Sequence, residues 1–190
     1  MSGKYIQDGN FDQLDFTINP VPAGDYENCQ FNNCNFSNFV FSAFVFTECL
    51  FTACNFSMAK LAGSAFRDVK FKDCKMIGLH FESCNPFLFE AQFENCQLNL
   101  SSFYQMKIKK TKFINCGLQE VDFTGADLTG GIFNTCDLAG ATFDKTQLEK
   151  ADLRTAYNYS INPELNKIKK AKFSLPGIAG LLDKYDIEID

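Results

Sequence analysis

From Phe11 onward an apolar residue occupies every fifth position: Phe11, Phe16, Val21, Tyr26, Phe31, Phe36, Phe41, Phe46, Phe51, Phe56, Leu61, Phe66, Phe71, Met76 and Phe81. The frame then moves by two residues around Cys84-Asn85-Pro86-Phe87. It resumes at Leu88, Phe93, Leu98, Phe103, Ile108, Phe113, Leu118, Phe123, Leu128, Phe133, Leu138, Phe143, Leu148 and Leu153. Of these 29 positions 17 are Phe and 8 are Leu, so one recurrent interior slot accounts for most of the chain's 22 Phe. A helix repeats about every 3.6 residues and a strand about every two, and neither explains a period of five. The pattern is that of a repeat protein, whose short units bury their apolar side chains by stacking on one another.

A second slot lies two residues before each central one. It holds Cys, Ala, Ser, Thr, Val or Gly in 22 of the 29 repeats, as a crowded interior requires. Eight of the nine Cys fall there (Cys29, Cys34, Cys49, Cys54, Cys74, Cys96, Cys116 and Cys136), and Cys84 keeps the same register just before the slip. Phe39 and Phe44 are bulky exceptions, flanked in their columns by Asn19 and Ala59 and by Gly24 and Ser64; a locally widened coil is expected there. Asp or Asn often precedes the central residue, as at Asn35, Asn55, Asp122, Asp127, Asp137 and Asp152, and turn formation with backbone bonding is the expected role.

The units Ala126-Asp127-Leu128, Ala151-Asp152-Leu153 and Cys34-Asn35-Phe36 resemble the A(D/N)LXX motif of the pentapeptide-repeat family, and the resemblance covers roughly residues 9 to 155. It implies an all-β fold: a right-handed quadrilateral parallel β-helix of about seven coils, with four pentapeptides per coil and residues twenty apart stacked at about 4.8 Å. Allowing for the slip, Cys34, Cys54, Cys74, Cys96, Cys116 and Cys136 then share one face. Phe11, Phe31, Phe51, Phe71, Phe93, Phe113, Phe133 and Leu153 share another.

The expected organisation is a β-helix over 1–156 and a capping or dimerisation tail over 157–190. At the start Pro20 and Pro22, which lack N–H donors, blunt the edge against other chains. At the end Asn162-Pro163-Glu164 reads as the start of a short helix through Lys172, and a second segment follows Ser174-Leu175-Pro176 to about Tyr185. Phe173, Leu175, Ile178, Leu181, Leu182 and Ile187 need a surface to cover, either the last coil or the matching tail of a second copy.

Candidate chemistry is sparse. Stacked thiols would suit a soft metal or disulfides, but parallel inward side chains and apolar surroundings favour protonated, packing cysteines. His80 is the only histidine and falls at an outward position, with Cys84 expected to point inward. Lys107, Lys109, Lys110 and Lys112 cluster on two adjoining faces of one coil, which reads as a solvated face or a partner contact. Asn35, Asn55, Asn99 and Asn158 stand in Asn-X-Ser sequons that the repeat itself generates. No phosphate loop, catalytic carboxylate pair or nucleophile set emerges, and a filled solenoid leaves no cleft for one; a non-enzymatic protein without cofactor or metal is expected.

Composition narrows the setting. No run approaches the roughly 20 apolar residues of a membrane span, and the start lacks the apolar middle of a secretory signal. Nine Cys without a CxxC pair suit a reducing compartment, so a cytoplasmic protein is expected. The net charge of −5 argues against direct nucleic-acid binding.

The stretch from Ile161 to Ser174 resembles the segment after the last coil of Qnr-type quinolone-resistance proteins. That implies a homodimer that imitates duplex DNA and engages DNA gyrase or topoisomerase IV; the alternative is a rigid scaffold for an unrelated protein. Residues 1–156 carry 18 acids and 13 bases, against about one charge per 1.7 Å on DNA, so a mimic must gather its acids. Only residues 1–58 do so in sequence, with six acids and Lys4. Many Qnr-type members project long loops; here there is only the two-residue slip.

Overall fold

The computed structural model describes residues 4 to 188. Eleven short strands run along the chain: β1 Lys4–Gln7, β2 Asn10–Asp12, β3 Gly24–Glu27, β4 Gln30–Asn32, β5 Val45–Thr47, β6 Leu50–Thr52, β7 Ala65–Arg67, β8 Val69–Lys72, β9 Ala91–Glu94, β10 Lys112–Ile114 and β11 Ile132–Asn134. Each named pairing is parallel. One sheet has the order β1-β3-β5-β7 and the other β2-β4-β6-β8-β9-β10-β11. Partners are twenty residues apart, as in Phe31↔Phe51, so one turn of the solenoid holds four pentapeptides. The other two faces carry no strands but continue the ladder as single bridges, such as Asn35↔Asn55 and Val40↔Lys60.

Geometry at the corners explains the period. The residue two places after a central one has positive φ around nearly the whole solenoid, from Gln13 (53°) to Lys150 (61°). That left-handed residue turns the chain before it enters the next face. Asp or Asn before the central residue completes the turn: Asn35 Oδ1 accepts from the Ser37 N–H (3.1 Å), Asp122 from Thr124 (2.8 Å) and Asp137 from Ala139 (3.2 Å).

Inside, the central side chains form stacked columns. Phe93, Phe113 and Phe133 stack at 5.2 Å centroid spacing, and Phe113 meets Phe103 and Phe123 edge-on at 5.8 and 6.0 Å. Offset stacks along a column and edge contacts across it satisfy the ring quadrupoles together. Phe44 is buried among Tyr26, Phe41 and Phe46 at 5.6 to 5.9 Å, its column neighbours being Gly24 and Ser64, while Phe39 is half-buried.

Four details depart from the sequence reading or add to it. Ile6, on β1, fills a central slot before Phe11 and packs against the core. At the slip, partner spacing changes from 20 to 22 residues, as in Phe71↔Phe93. The two extra residues make a turn closed by Phe89 N–H to Pro86 O (3.4 Å), with Leu88 at its left-handed corner (φ 59°). Leu88 is therefore exposed rather than central, and Phe89 enters the core instead, edge-on to Phe66 and Phe81.

The expected helix from Pro163 to Lys172 is absent. The chain there makes a further partial coil, with bridges Gln147↔Lys167 and Asp152↔Lys172, Asn166 in the small slot, and Ile168 and Phe173 packed on the core. Asn162 Oδ1 accepts from the Glu164 N–H (3.0 Å), the same corner bond that Asn35 makes, so the signal that reads as a helix cap is a coil turn. The segment after Ser174 is helical, as two 3-10 turns over Pro176–Leu181 and Asp183–Tyr185. Among the described residues no helix is long and apolar enough to cross a membrane.

Candidate functional site

The interior offers packing, not chemistry. The Cys column exists as the spacing requires, and all nine thiols are free and buried. Each ladder thiol from Cys54 to Cys136 lies within donor range of two backbone carbonyls, one across the coil boundary and one local. Cys54 Sγ lies 3.3 Å from Phe31 O and from Thr52 O; Cys136 Sγ lies 3.3 Å from Phe113 O. Thr146 makes the equivalent bond in the opposite small-residue column, Oγ1 to Phe123 O at 2.9 Å. A small weak donor thus adds a second contact to ladder carbonyls, such as Thr52 O, which already accepts the Asn33 N–H. Burial pushes the Cys49 and Cys84 thiols up to about 12, so both are neutral at physiological pH.

His80 points outward, its Nδ1 2.9 Å from Glu82 Oε1, while Cys84 is buried beside Ser64 Oγ (3.6 Å). The imidazole and the thiol do not meet. Among the described residues no three His, Cys, Asp or Glu side chains converge as metal ligands.

The surface is organised along the rod. The face built on β1, β3, β5 and β7, with its corner toward β2, carries Asp8, Asp25, Glu27, Glu48 and Asp68 in its first four coils. Neighbours one coil away hold several N-terminal carboxylates: Asn28 Nδ2 donates to Asp8 (2.6 Å), Asn33 to Asp12 (3.2 Å), Asn35 to Asp15 (3.2 Å), and Tyr5 Oη to Glu27 (2.9 Å). The hydrogen bond from Thr17, with those from Asn35, holds the Asp15 carboxyl below its ordinary range. Further along the same face Phe87 (65% exposed) and Leu88 (63%) project beside an open groove lined by Phe89, Tyr104, Met106 and Lys107. Beyond them lie Lys107, Lys109, Lys110 and Lys112, all exposed.

At the C-terminal end the six tail residues divide. Phe173 and Leu181 pack against the core; Leu182 is half-buried; Leu175 (83%), Ile178 (41%) and Ile187 (55%) are exposed. The sequence reading missed the centre of this cap, Tyr159, which is 4% exposed and underlies Gly177 and Gly180. Its place one residue off the five-residue frame concealed it.

A stacked four-sided parallel solenoid with aromatic columns, small-residue columns and left-handed corners is the architecture of a β-solenoid repeat protein. The pentapeptide repeat region model matches residues 25–86 and 79–156, and the chain belongs to the pentapeptide-repeat family. Solved structures similar to it include full-length QnrB1, a plasmid-mediated fluoroquinolone resistance protein, at 17% identity over 97% of this chain and 100% of that one, with a TM-score of 0.56. HetL, a pentapeptide repeat protein involved in heterocyst differentiation regulation from the cyanobacterium Nostoc, is 14% identical over 92% of this chain and 86% of its own, with a TM-score of 0.61. No curated protein matches the chain.

Proposed function

We propose that this is a non-catalytic cytoplasmic protein whose acidic N-terminal coils occupy the DNA-binding surface of a type II topoisomerase, DNA gyrase or topoisomerase IV, and thereby protect it from quinolones. The carrying observation is the charge of the first three coils. Residues 1–58 hold six acids and Lys4, over a length of roughly 14 Å at about 4.8 Å per coil. Duplex DNA would present about eight charges over that length, so the local density approaches that of the nucleic acid even though the whole chain carries only −5. The asparagine and tyrosine contacts to Asp8, Asp12, Asp15 and Glu27 pre-set these carboxylates, which lowers the ordering cost of binding. Phe87 and Leu88 supply an apolar anchor further along the same face.

The segment 157–190 closes the last coil and pairs with a second copy about a two-fold axis, through the exposed Leu175, Ile178 and Ile187. Supercoiling by purified gyrase, with and without a fluoroquinolone, tests the reading. Inhibition or drug relief is expected at low micromolar protein (Kd about 10⁻⁶ M, or about −8 kcal/mol), and is lost on Asp25→Asn with Glu27→Gln and Glu48→Gln. If neither gyrase nor topoisomerase IV responds, the proposal fails and an unrelated protein partner takes its place.

A further inference from the structure

The lysines on the far half of the same face, and just around its corner on the β10 face, form a repeated device. Lys107-Ile108-Lys109-Lys110-Thr111-Lys112-Phe113 and Lys167-Ile168-Lys169-Lys170-Ala171-Lys172-Phe173 differ at one position in seven and lie sixty residues apart. Read as a helix, the second set would scatter its lysines. In the structure it is a coil in register with the first, because the ladder runs Lys107↔Asp127, Asp127↔Gln147 and Gln147↔Lys167. The two sets are therefore rungs on one corner of the solenoid, three coils or roughly 14 Å apart. Lys150 stands between them on that corner.

All eight rung lysines are exposed. Among the described residues only Lys109, with Asp127 at 3.2 Å, and Lys172, with Asp152 at 4.0 Å, have a carboxylate partner. Three carboxylates lie between the rungs in their columns, Asp127, Glu149 and Asp152; Asp152 is further engaged by Arg154 at 2.7 Å, and Glu149 is half-buried. Overall acidity conceals the segregation. Residues 1–94 hold 11 acids and 6 bases, whereas residues 95–172 hold 8 acids and 11 bases. The argument from net charge against a nucleic-acid contact thus applies to the first half of the rod and not to the second.

We propose that the two lysine rungs form a binding site for the phosphodiester backbone of duplex DNA, one rung on each wall of a groove. Their separation of roughly 14 Å is close to the major-groove width of about 12 Å, and lysine stems have the reach to absorb the difference. Lysine is a flexible point charge that meets phosphate without reading bases, so the site is blind to sequence. Neutralising phosphates releases condensed counterions, and this drives binding without an apolar interface. The proposal is independent of topoisomerase binding, because it needs no enzyme and uses the opposite half of the face.

Fluorescence anisotropy of a labelled duplex of about 24 base pairs, at salt from about 50 to 200 mM, tests it with the full-length protein. Two unrelated duplex sequences are expected to bind equally, with a Kd of about 10⁻⁴ to 10⁻⁶ M near physiological salt and a log–log salt slope of about −0.9 per phosphate contacted. Replacing Lys110, Lys112, Lys170 and Lys172 by Gln should weaken binding at least about tenfold and reduce the slope by about four, one unit per lysine lost. The same four changed to Arg should bind as the parent does, and their circular dichroism should match that of the Gln variant, which separates charge loss from misfolding. Lys60→Gln with Lys75→Gln, on the other faces, should change nothing. No saturation at low salt, or an equal loss in the control, would overturn the proposal. So would sedimentation showing that the rung lysines drive self-association against a second copy's acids while duplex binding is absent.

Discussion

Replacing Gly180 by alanine should open the C-terminal end of the rod and nothing else. The 3-10 segment crosses Tyr159 so closely that a Cβ at Gly180 would collide with the Tyr159 carbonyl oxygen and stand 2.9 Å from its ring Cδ2. Backbone cannot yield there, because Gly180 O also accepts the Ile161 N–H at 2.8 Å. Undocking would uncover Tyr159 and free Leu181, at about 1.5–3 kcal/mol for each large side chain, and would break a hydrogen bond worth about 1 kcal/mol. Part of this returns as conformational entropy of the released tail, leaving a loss of about 3 kcal/mol, or roughly a hundredfold in the opening equilibrium. Amide hydrogen exchange reads it directly. Ile161 should exchange about a hundredfold faster, while the Phe81 and Leu98 amides, bonded to Ser102 O and Gly117 O in the middle coils, keep their protection. Equal protection of Ile161 in both proteins would refute the cap, and a matching loss at Phe81 would refute the view that coils are stabilised by their neighbours alone.

Four further outcomes follow from the core and corners. Phe113→Ala should cost about 3–5 kcal/mol by chemical denaturation, since it empties a fully buried ring position between two stacked partners; a cost below about 1 kcal/mol would mean that the columns repack freely. Cys49 and Cys84 should resist iodoacetamide in the folded protein at pH 8. Because their folded values lie above the unfolded one, the stability they contribute is complete below about pH 8.5 and lost as pH rises toward about 12; a thermal midpoint that holds across that window would contradict it. Leu100→Gly should raise stability or leave it unchanged, since Leu100 holds φ 61° at an exposed corner where a side chain costs about 1 kcal/mol; a clear loss would show that its side chain packs.

Much of this architecture was legible because the five-residue period is a direct image of the corner geometry. The columns of Phe and Cys follow once the four pentapeptides per coil that the family resemblance implies are combined with the five-residue period. What escaped depends on single-residue adjustments. Leu88 and Phe89 are both apolar neighbours at the slip, and only the placement of the left-handed turn decides which enters the core. Tyr159 lies one residue past the expected slot, and Pro163 occupies a central position, so the apolar period breaks where the last coil is being built; Ile168 and Phe173 then resume it. The Asn-Pro-Glu sequence serves a helix start and a solenoid corner equally well, and only the neighbouring coil's free ladder decides between them. That misassignment hid the second lysine rung. The first was visible, but its meaning depends on its twin.

The two-residue insertion at Asn85 to Phe89 has the character of a dislocation in a layered crystal. The layers on either side are perfect, each stacked at a spacing of twenty, and a single fault takes up the mismatch of two. A fault of this kind is local in energy and global in phase. Everything beyond it is displaced along the chain by a constant amount, yet every column continues through it in space. Chain length can therefore change at this corner without altering which side chains share a column, and the acidic and basic halves of one face can be lengthened or exchanged as separate blocks.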